Sequence, residues 1–150
     1  MTNIKTAILI PCYNEEKAIG TLVKDLQKQM PQADIYVYDN NSKDQTSKEA
    51  KKEGAIVRFE GRQGKGHVVR RMFSDIDADI YVMLDGDNTY DVPSIPKLVD
   101  TLINQQMDMV IGTRIPDEGA HRPGHALGNI LFNFVLKLAF NSPFTDIFSG

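Results

Sequence analysis

The stretch Asp79-Ile80-Tyr81-Val82-Met83-Leu84-Asp85-Gly86-Asp87 decides how this chain is read. Its apolar run is short and rich in β-branched and aromatic residues. It reads as a strand over 79–84, buried on both faces. It ends on two carboxylates one residue apart. A chain leaving the pleat at Gly86 can turn both Asp side chains toward one hard cation. Mg²⁺ or Mn²⁺ takes oxygen ligands, and Mg²⁺ usually completes its shell with substrate phosphates and water. The same residues also make an ordinary turn with two solvated acids, so Asp-x-Asp does not decide by itself.

The neighbourhood adds a pattern. Residues 6–10 form a second apolar run, closed by Pro11. Ile19, Leu22, Val23 and Leu26 follow with helical spacing from Glu15, and Pro31 ends that segment. Residues 35–38 and 55–59 are further strands. Ser42 and Gln45 have capping-box spacing, which predicts a helix running to Gly54, a suitable C′ residue. Val68, Val69, Met72, Phe73 and Ile76 predict another helix after the loop 61–66. Further on, the pattern predicts a helix over 93–106, a fifth strand over 109–112 and a helix over 124–140. Strands alternating with helices imply an α/β sandwich with a mostly parallel sheet. Ligands in such sheets lie beyond the carboxyl ends of the strands. Those ends carry Pro11-Cys12-Tyr13-Asn14-Glu15, Asp39-Asn40-Asn41-Ser42, Asp85-Gly86-Asp87 and Gly112-Thr113-Arg114.

Composition narrows the function classes. The 150 residues suggest one compact domain, 41% hydrophobic and 25% charged, which is ordinary for a globular protein. The net charge of −3 gives no basic field, so nucleic acid is not an expected partner. The lone Cys12 excludes an internal disulfide and fits a cytoplasmic location. The apolar stretch 130–140 is far short of the ~20 residues of a membrane span.

Each cluster has a plain reading beside a chemical one. Asp39 and Asn40 suit a base or ribose, or else form a turn while Ser42 caps the next helix and leaves Asp39 free. Gly61-Arg62-Gln63-Gly64-Lys65-Gly66 suits a phosphate, with Lys65 and a helix N-terminus, or is an exposed loop. It is not a Walker A loop, because Gly66 and His67 follow Lys65. Tyr13 suits stacking on a flat base and Glu15 suits accepting from base or sugar. Alternatively Asn14 caps the first helix. Cys12 reads as a small buried residue, not a nucleophile. His121 and His125 lack the close companions of a zinc site.

Taken in order, Pro11-Cys12-Tyr13-Asn14-Glu15, Asp39-Asn40-Asn41-Ser42, Gly64-Lys65-Gly66, Asp85-Gly86-Asp87, Gly112-Thr113-Arg114 and Asp146 with Ser149-Gly150 resemble the motifs of family 2 inverting glycosyltransferases. The resemblance is to their dolichol-phosphate mannosyltransferase and polyprenyl-phosphate glycosyltransferase branch. It implies a GT-A fold, a Rossmann-like three-layer sandwich, over residues 1–150. It implies transfer of a sugar from a nucleotide-diphosphate sugar to a lipid phosphate or a glycan, with inversion and with Mg²⁺ or Mn²⁺. Pro11, Tyr13, Glu15, Asp39, Asn40, Lys65 and Asp85 would bind the donor. Asn40 departs from the family, which usually has two acids at positions 39 and 40. Asp85 and Asp87 would hold the metal. Asp87, Arg114 and Asp146 would be catalytic, with Arg122, His125, Asn129 and Ser149 toward the acceptor. The resemblance further implies that the chain is the donor-binding part of a longer protein, cut within an acceptor-side motif, that binds donor with little transfer. It implies membrane contact through a missing C-terminal part, at the inner face of the membrane.

Two rivals stay open on sequence. Leu84-Asp85-Gly86-Asp87-Asn88-Thr89 also resembles the first motif of haloacid-dehalogenase-type phosphatases, with Asp85 as nucleophile, although that motif normally sits at the first strand. A non-catalytic nucleotide-sugar-binding module would keep the same binding residues. A dinucleotide oxidoreductase is excluded by the absence of glycine between Pro11 and Glu16.

Overall fold

A computed structural model describes residues 4–112. Two compact units divide the chain, Met1–Asp108 and Met109–Gly150. All the elements below belong to the first.

The order is β1 (Thr6–Cys12), α1 (Ile19–Gln29), β2 (Asp34–Asp39), α2 (Thr46–Lys52), β3 (Ile56–Phe59), α3 (Lys65–Asp75), β4 (Ile80–Met83), a 3-10 turn at Val92–Ser94 and α4 (Ile95–Asn104). The four strands form one sheet, β3-β2-β1-β4, with every pair parallel. The inner strands β1 and β2 are mostly buried, as apolar runs covered on both faces should be. β4, expected to be buried on both faces, is not, because it lies at the edge of the described sheet: Tyr81 and Val82 are half-buried and Met83 is exposed. The period of 2 sorts the strand residues. Ile8, Ile10, Ile35 and Val37 pack with α1, α2 and the start of α4. Ala7, Leu9, Tyr36 and Tyr38 pack with Val68, Met72 and Ile76 around α3. The result is three layers.

Helix α1 shows why the pattern was readable. Ile19, Leu22, Val23 and Leu26 are each fully buried on one stripe, and each contributes about 1.5–3 kcal/mol by leaving water. Gly54 follows α2 with φ +89°, the left-handed conformation expected of a C′ glycine. On the other face, Phe73 meets Tyr81 edge-on at 5.2 Å. Asp75 at the end of α3 ties that helix to the sheet. It accepts from Arg71 Nε at 2.7 Å and Tyr38 Oη at 3.1 Å, and Arg58 lies 3.6 Å away.

The structure corrects the sequence reading at several places. Ser42 is not the cap of α2. The helix starts at Thr46, whose N–H and hydroxyl both donate to Asp44. Ser42 Oγ instead accepts from the Asn14 N–H, and Asn14 Oδ1 accepts from the Lys43 N–H. Asn14 therefore caps nothing, and α1 starts at Ile19 after a turn on the Glu15 carbonyl. Residues 109–112 form no strand among the described residues. A short run needs a hydrogen-bonded neighbour to become a strand, and the sequence does not supply one.

Candidate active site

Strand order locates the site. After β1 the chain moves outward through β2 and β3, and α3 then returns it to the other side of β1 as β4. The crevice where the direction reverses lies beyond the ends of β1 and β4. Open α/β sheets bind ligands at such a switch point. A cavity of ≈ 390 Å³ opens there, lined by residues of the β1 end (Pro11, Tyr13, Glu15), the glycine loop (Gln63, Gly64, Lys65) and the β4 end (Asp85, Gly86, Asp87). Asn40 and Cys12 also line it.

Tyr13 is 47% exposed, free to present its ring to a flat ligand. Behind it, the loop after β1 is laced to the loop after β2. The Glu15 N–H donates to Thr46 Oγ1 at 2.8 Å, the Glu16 N–H to Asp44 Oδ2 at 3.1 Å, and the Gln45 N–H to Glu16 Oε2 at 2.9 Å. Burial pushes the Asp44 carboxyl up, but the hydrogen bonds from Thr46 and the Glu16 N–H hold it below its usual range.

Lys65 Nζ lies 2.6 Å from Asp85 Oδ1, and Tyr90 Oη donates to Asp85 Oδ2 at 3.4 Å. Asp87 Oδ1 accepts from the Thr89 N–H and hydroxyl. The negative charge here is only partly balanced. Burial raises the Glu15 carboxyl above its ordinary value, and the charges of Asp87, Asp44 and Asp85 raise it further. Burial and the Glu15, Asp39, Asp85 and Asp44 carboxylates push the Cys12 thiol far up, so it stays protonated and inert. Such a field suits a divalent cation. Two adjacent aspartates are the hard oxygen donors that Mg²⁺ or Mn²⁺ takes. Among the described residues no cluster of three or more metal-binding side chains forms. The pair therefore fits an ion that draws further ligands from phosphate and water.

Gly86 makes the loop possible. A Cβ at this position would stand 2.5 Å from Cys12 Sγ and 3.4 Å from Glu15 Cγ. The Asp-Gly-Asp loop thus rests directly on the buried end of β1.

The predicted residues divide. Pro11, Tyr13, Glu15, Asn40, Lys65, Asp85 and Asp87 surround the cavity. Asp39 does not line it, and, contrary to the capping argument, it is not free. It is 7% exposed and accepts from the Ser42 N–H at 2.8 Å and Ser47 Oγ at 2.5 Å. Asn40 faces the cavity with its amide engaged by the glycine loop. Arg114, Arg122, His125, Asn129, Asp146 and Ser149 lie outside the described residues, as does the expected helix over 124–140. The sequence reading missed Gln63 on the wall and Tyr90 beside Asp85. An aromatic hydroxyl five residues after a candidate ligand was the available signal for Tyr90.

The fold is a parallel α/β sandwich with an acidic, lysine-bearing crevice at its switch point. The glycosyl transferase family 2 model matches residues 7–147, and the chain belongs to that family. Protein RfbJ of Shigella flexneri is 52% identical over 121 residues, covering 79% of this chain and 94% of that protein. Glycosyltransferase AglJ of Haloferax volcanii is 36% identical over 95% of this chain and 48% of its own length. A dolichyl-phosphate hexose transferase of the same organism is 32% identical over 96% of this chain and 63% of its own. Against curated relatives such as AglJ the chain spans about half the length. Glucosyl-3-phosphoglycerate synthase of Mycobacterium tuberculosis, solved with Mn²⁺, UDP-glucose and phosphoglyceric acid, superposes with a TM-score of 0.60 at 26% identity. That match covers 67% of this chain and 39% of that one. The chain is thus a glycosyltransferase domain of GT-A architecture. The phosphatase reading falls with this, since Asp85 follows the fourth strand of a glycosyltransferase sheet.

Proposed function

We propose that this domain binds a nucleoside-diphosphate sugar in the switch-point cavity and delivers the sugar, with inversion, to a lipid phosphate. The observation that carries this reading is the placement of Tyr13, Lys65, Asp85 and Asp87 around one cavity. Tyr13 stacks on the base, and Glu15 accepts from base or sugar. Lys65 and the first N–H groups of α3, which a helix leaves without internal acceptors, take the diphosphate.

Asp85 and Asp87, as hard oxygen donors on the cavity wall, would hold a divalent ion. When bound, that ion supplies charge neutralisation of the leaving group. Lys65 leaves Asp85 for the diphosphate as the donor arrives. The pocket thereby stabilises charge that grows on the leaving oxygen while the anomeric bond lengthens. On the resemblance of the motifs, Arg114 and Asp146 are candidates for the leaving group and the acceptor, and Arg122, His125, Asn129 and Ser149 for the acceptor side. A lipid phosphate is already ionised and needs no strong base. A glycan hydroxyl would require a carboxylate such as Asp146 to take its proton. The dolichyl-phosphate hexose transferase relative supports the lipid acceptor, which would place the reaction at the inner face of a membrane.

The test is a panel of UDP, GDP and their sugars, followed by transfer to a polyprenyl phosphate. The reading expects one nucleotide to bind in the presence of Mn²⁺ and the product to carry the inverted anomer. Absence of binding by every nucleotide would overturn it. Binding without turnover by the longest natural form of the protein would leave only a nucleotide-sugar-binding module.

A further inference from the structure

The glycine loop 60–64 has no secondary structure to hold it, yet its backbone polar groups are met in succession by two neighbouring side chains. Asn40 Nδ2 donates to the Glu60 carbonyl at 2.8 Å and to the Arg62 carbonyl at 2.8 Å, while Asn40 Oδ1 accepts from the Gly64 N–H at 2.7 Å. Asn41 Nδ2 donates to the Gly61 carbonyl at 3.1 Å and to Gln63 Oε1 at 3.1 Å. Asn40 is 4% exposed, and Asn41 sits at φ 66°, a left-handed conformation that Asn tolerates. Buried Glu60 closes the loop from within by accepting from the Arg62 N–H at 2.7 Å.

We infer that Asn40 and Asn41 form an amide clamp that sets the glycine loop, and with it Gly64 and Lys65, in its anion-receiving shape before the donor arrives. The inference rests on the reading of this cavity as a diphosphate site. Asn40 is a positioning residue, because its amide acts through the loop.

The clamp also explains why position 40 carries an amide. Two carbonyl oxygens converge on one side of the side chain and an N–H on the other. Only a group with two donors and an acceptor satisfies all three. An aspartate of the same shape would set a carboxylate oxygen against two carbonyl oxygens in a buried place. Leaving buried polar groups unmatched costs more than the hydrogen bonds themselves are worth. The loop would move, and Lys65 with it. Protonation of the carboxyl in an Asn40→Asp variant would restore one of the two donors, so the defect should ease in acid.

Two measurements test the clamp. The first is backbone hydrogen exchange over 60–66 in the nucleotide-free protein. Asn40→Ala and Asn41→Ala are expected to speed exchange there, most of all at the Gly64 N–H in Asn40→Ala, while the amides of β1 keep their protection. Unchanged exchange over the loop in both variants would overturn the clamp, whatever the ligand proves to be. The second is affinity for UDP and GDP in Mn²⁺ for Asn40→Asp against the wild type. A loss of about tenfold is expected near about pH 8, narrowing toward about pH 5.5 as the carboxyl takes up its proton. The charged groups around that carboxyl are Asp39, Glu60, Arg62 and Lys65, with Glu15, Asp85 and Asp87 on the cavity wall. Because both proteins share them, the ratio of affinities isolates position 40. A ratio near one at both pH values would overturn the requirement for an amide. If the wild type binds neither nucleotide, the diphosphate reading fails while the exchange result still judges the clamp.

Discussion

Two acid-rich turns stand at the same edge of the sheet, and they do opposite things. After β2, Asp39, Asn40, Asn41 and Asp44 give their polar atoms to backbone and hydroxyl groups of neighbouring loops. After β4, Asp85 meets the long, adaptable side chain of Lys65 and a long contact from Tyr90, while Asp87 accepts from the Thr89 N–H and hydroxyl. Composition does not separate them. What separates them is whether the oxygen lone pairs are already committed to holding the chain. The first turn builds the floor and the loop. The second holds its own chain through Asp87 Oδ1 and sets Asp85 against Lys65 on the cavity wall.

Substitutions can break this contrast. The largest effect is expected from Asp85→Ala, which should reduce Mn²⁺-supported UDP binding to its metal-free level by calorimetry without lowering the melting temperature. Asp39→Ala should do the reverse in kind. It strands the Ser42 N–H and the Ser47 hydroxyl, and urea unfolding should show a loss of about 1–3 kcal/mol. If Asp39→Ala left stability unchanged, the first turn would not be the structural one.

Gly86→Ala sharpens the contrast from the other side. The new methyl meets Cys12 Sγ, a short and buried side chain that cannot swing away. Overpacking of this kind costs about 1–3 kcal/mol. Urea unfolding of the Cys12→Ala/Gly86→Ala double variant should recover part of that cost relative to the two single changes. Simple additivity would mean that the loop does not rest on Cys12.

The smallest effect concerns the far side of the sheet. The hydrogen bond from Arg71, with Tyr38 and Arg58 adding, holds the Asp75 carboxyl below its usual value against the pull of burial. A depressed carboxyl stabilises the fold above the ordinary carboxylate pKa and loses that contribution as pH falls through its folded value. Melting curves of the wild type and Asp75→Asn should therefore differ slightly near neutral pH and converge in acid. No donor-binding change should accompany this.

The fold was legible where a signal is local. Buried parallel strands announce themselves as apolar runs, and α1 shows its stripe in four residues. The acids of the β4 turn were legible for the same reason, since a strand ending in Asp-Gly-Asp places them at the ligand edge. The hydrogen-bond roles after β2 were not. Whether Ser42, Asp39 or Asp44 meets a given N–H depends on residues 13–16, which lie near in space and far in sequence. The clamp was invisible for the same reason, because Asn40 reaches across some twenty residues to Glu60. The run at 109–112 failed as a strand because three apolar residues and a glycine do not say whether a neighbour exists.

In the proposed function, the β4 turn is the charged half of a metal-assisted donor site. That role is tested most directly by titrating UDP and GDP into the wild type and Asp87→Ala, each with and without Mn²⁺. The account predicts that Mn²⁺ strengthens the binding of one nucleotide to the wild type and does nothing for Asp87→Ala, with both proteins melting alike. Equal wild-type affinity with and without Mn²⁺, or a full Mn²⁺ effect in Asp87→Ala, would contradict it.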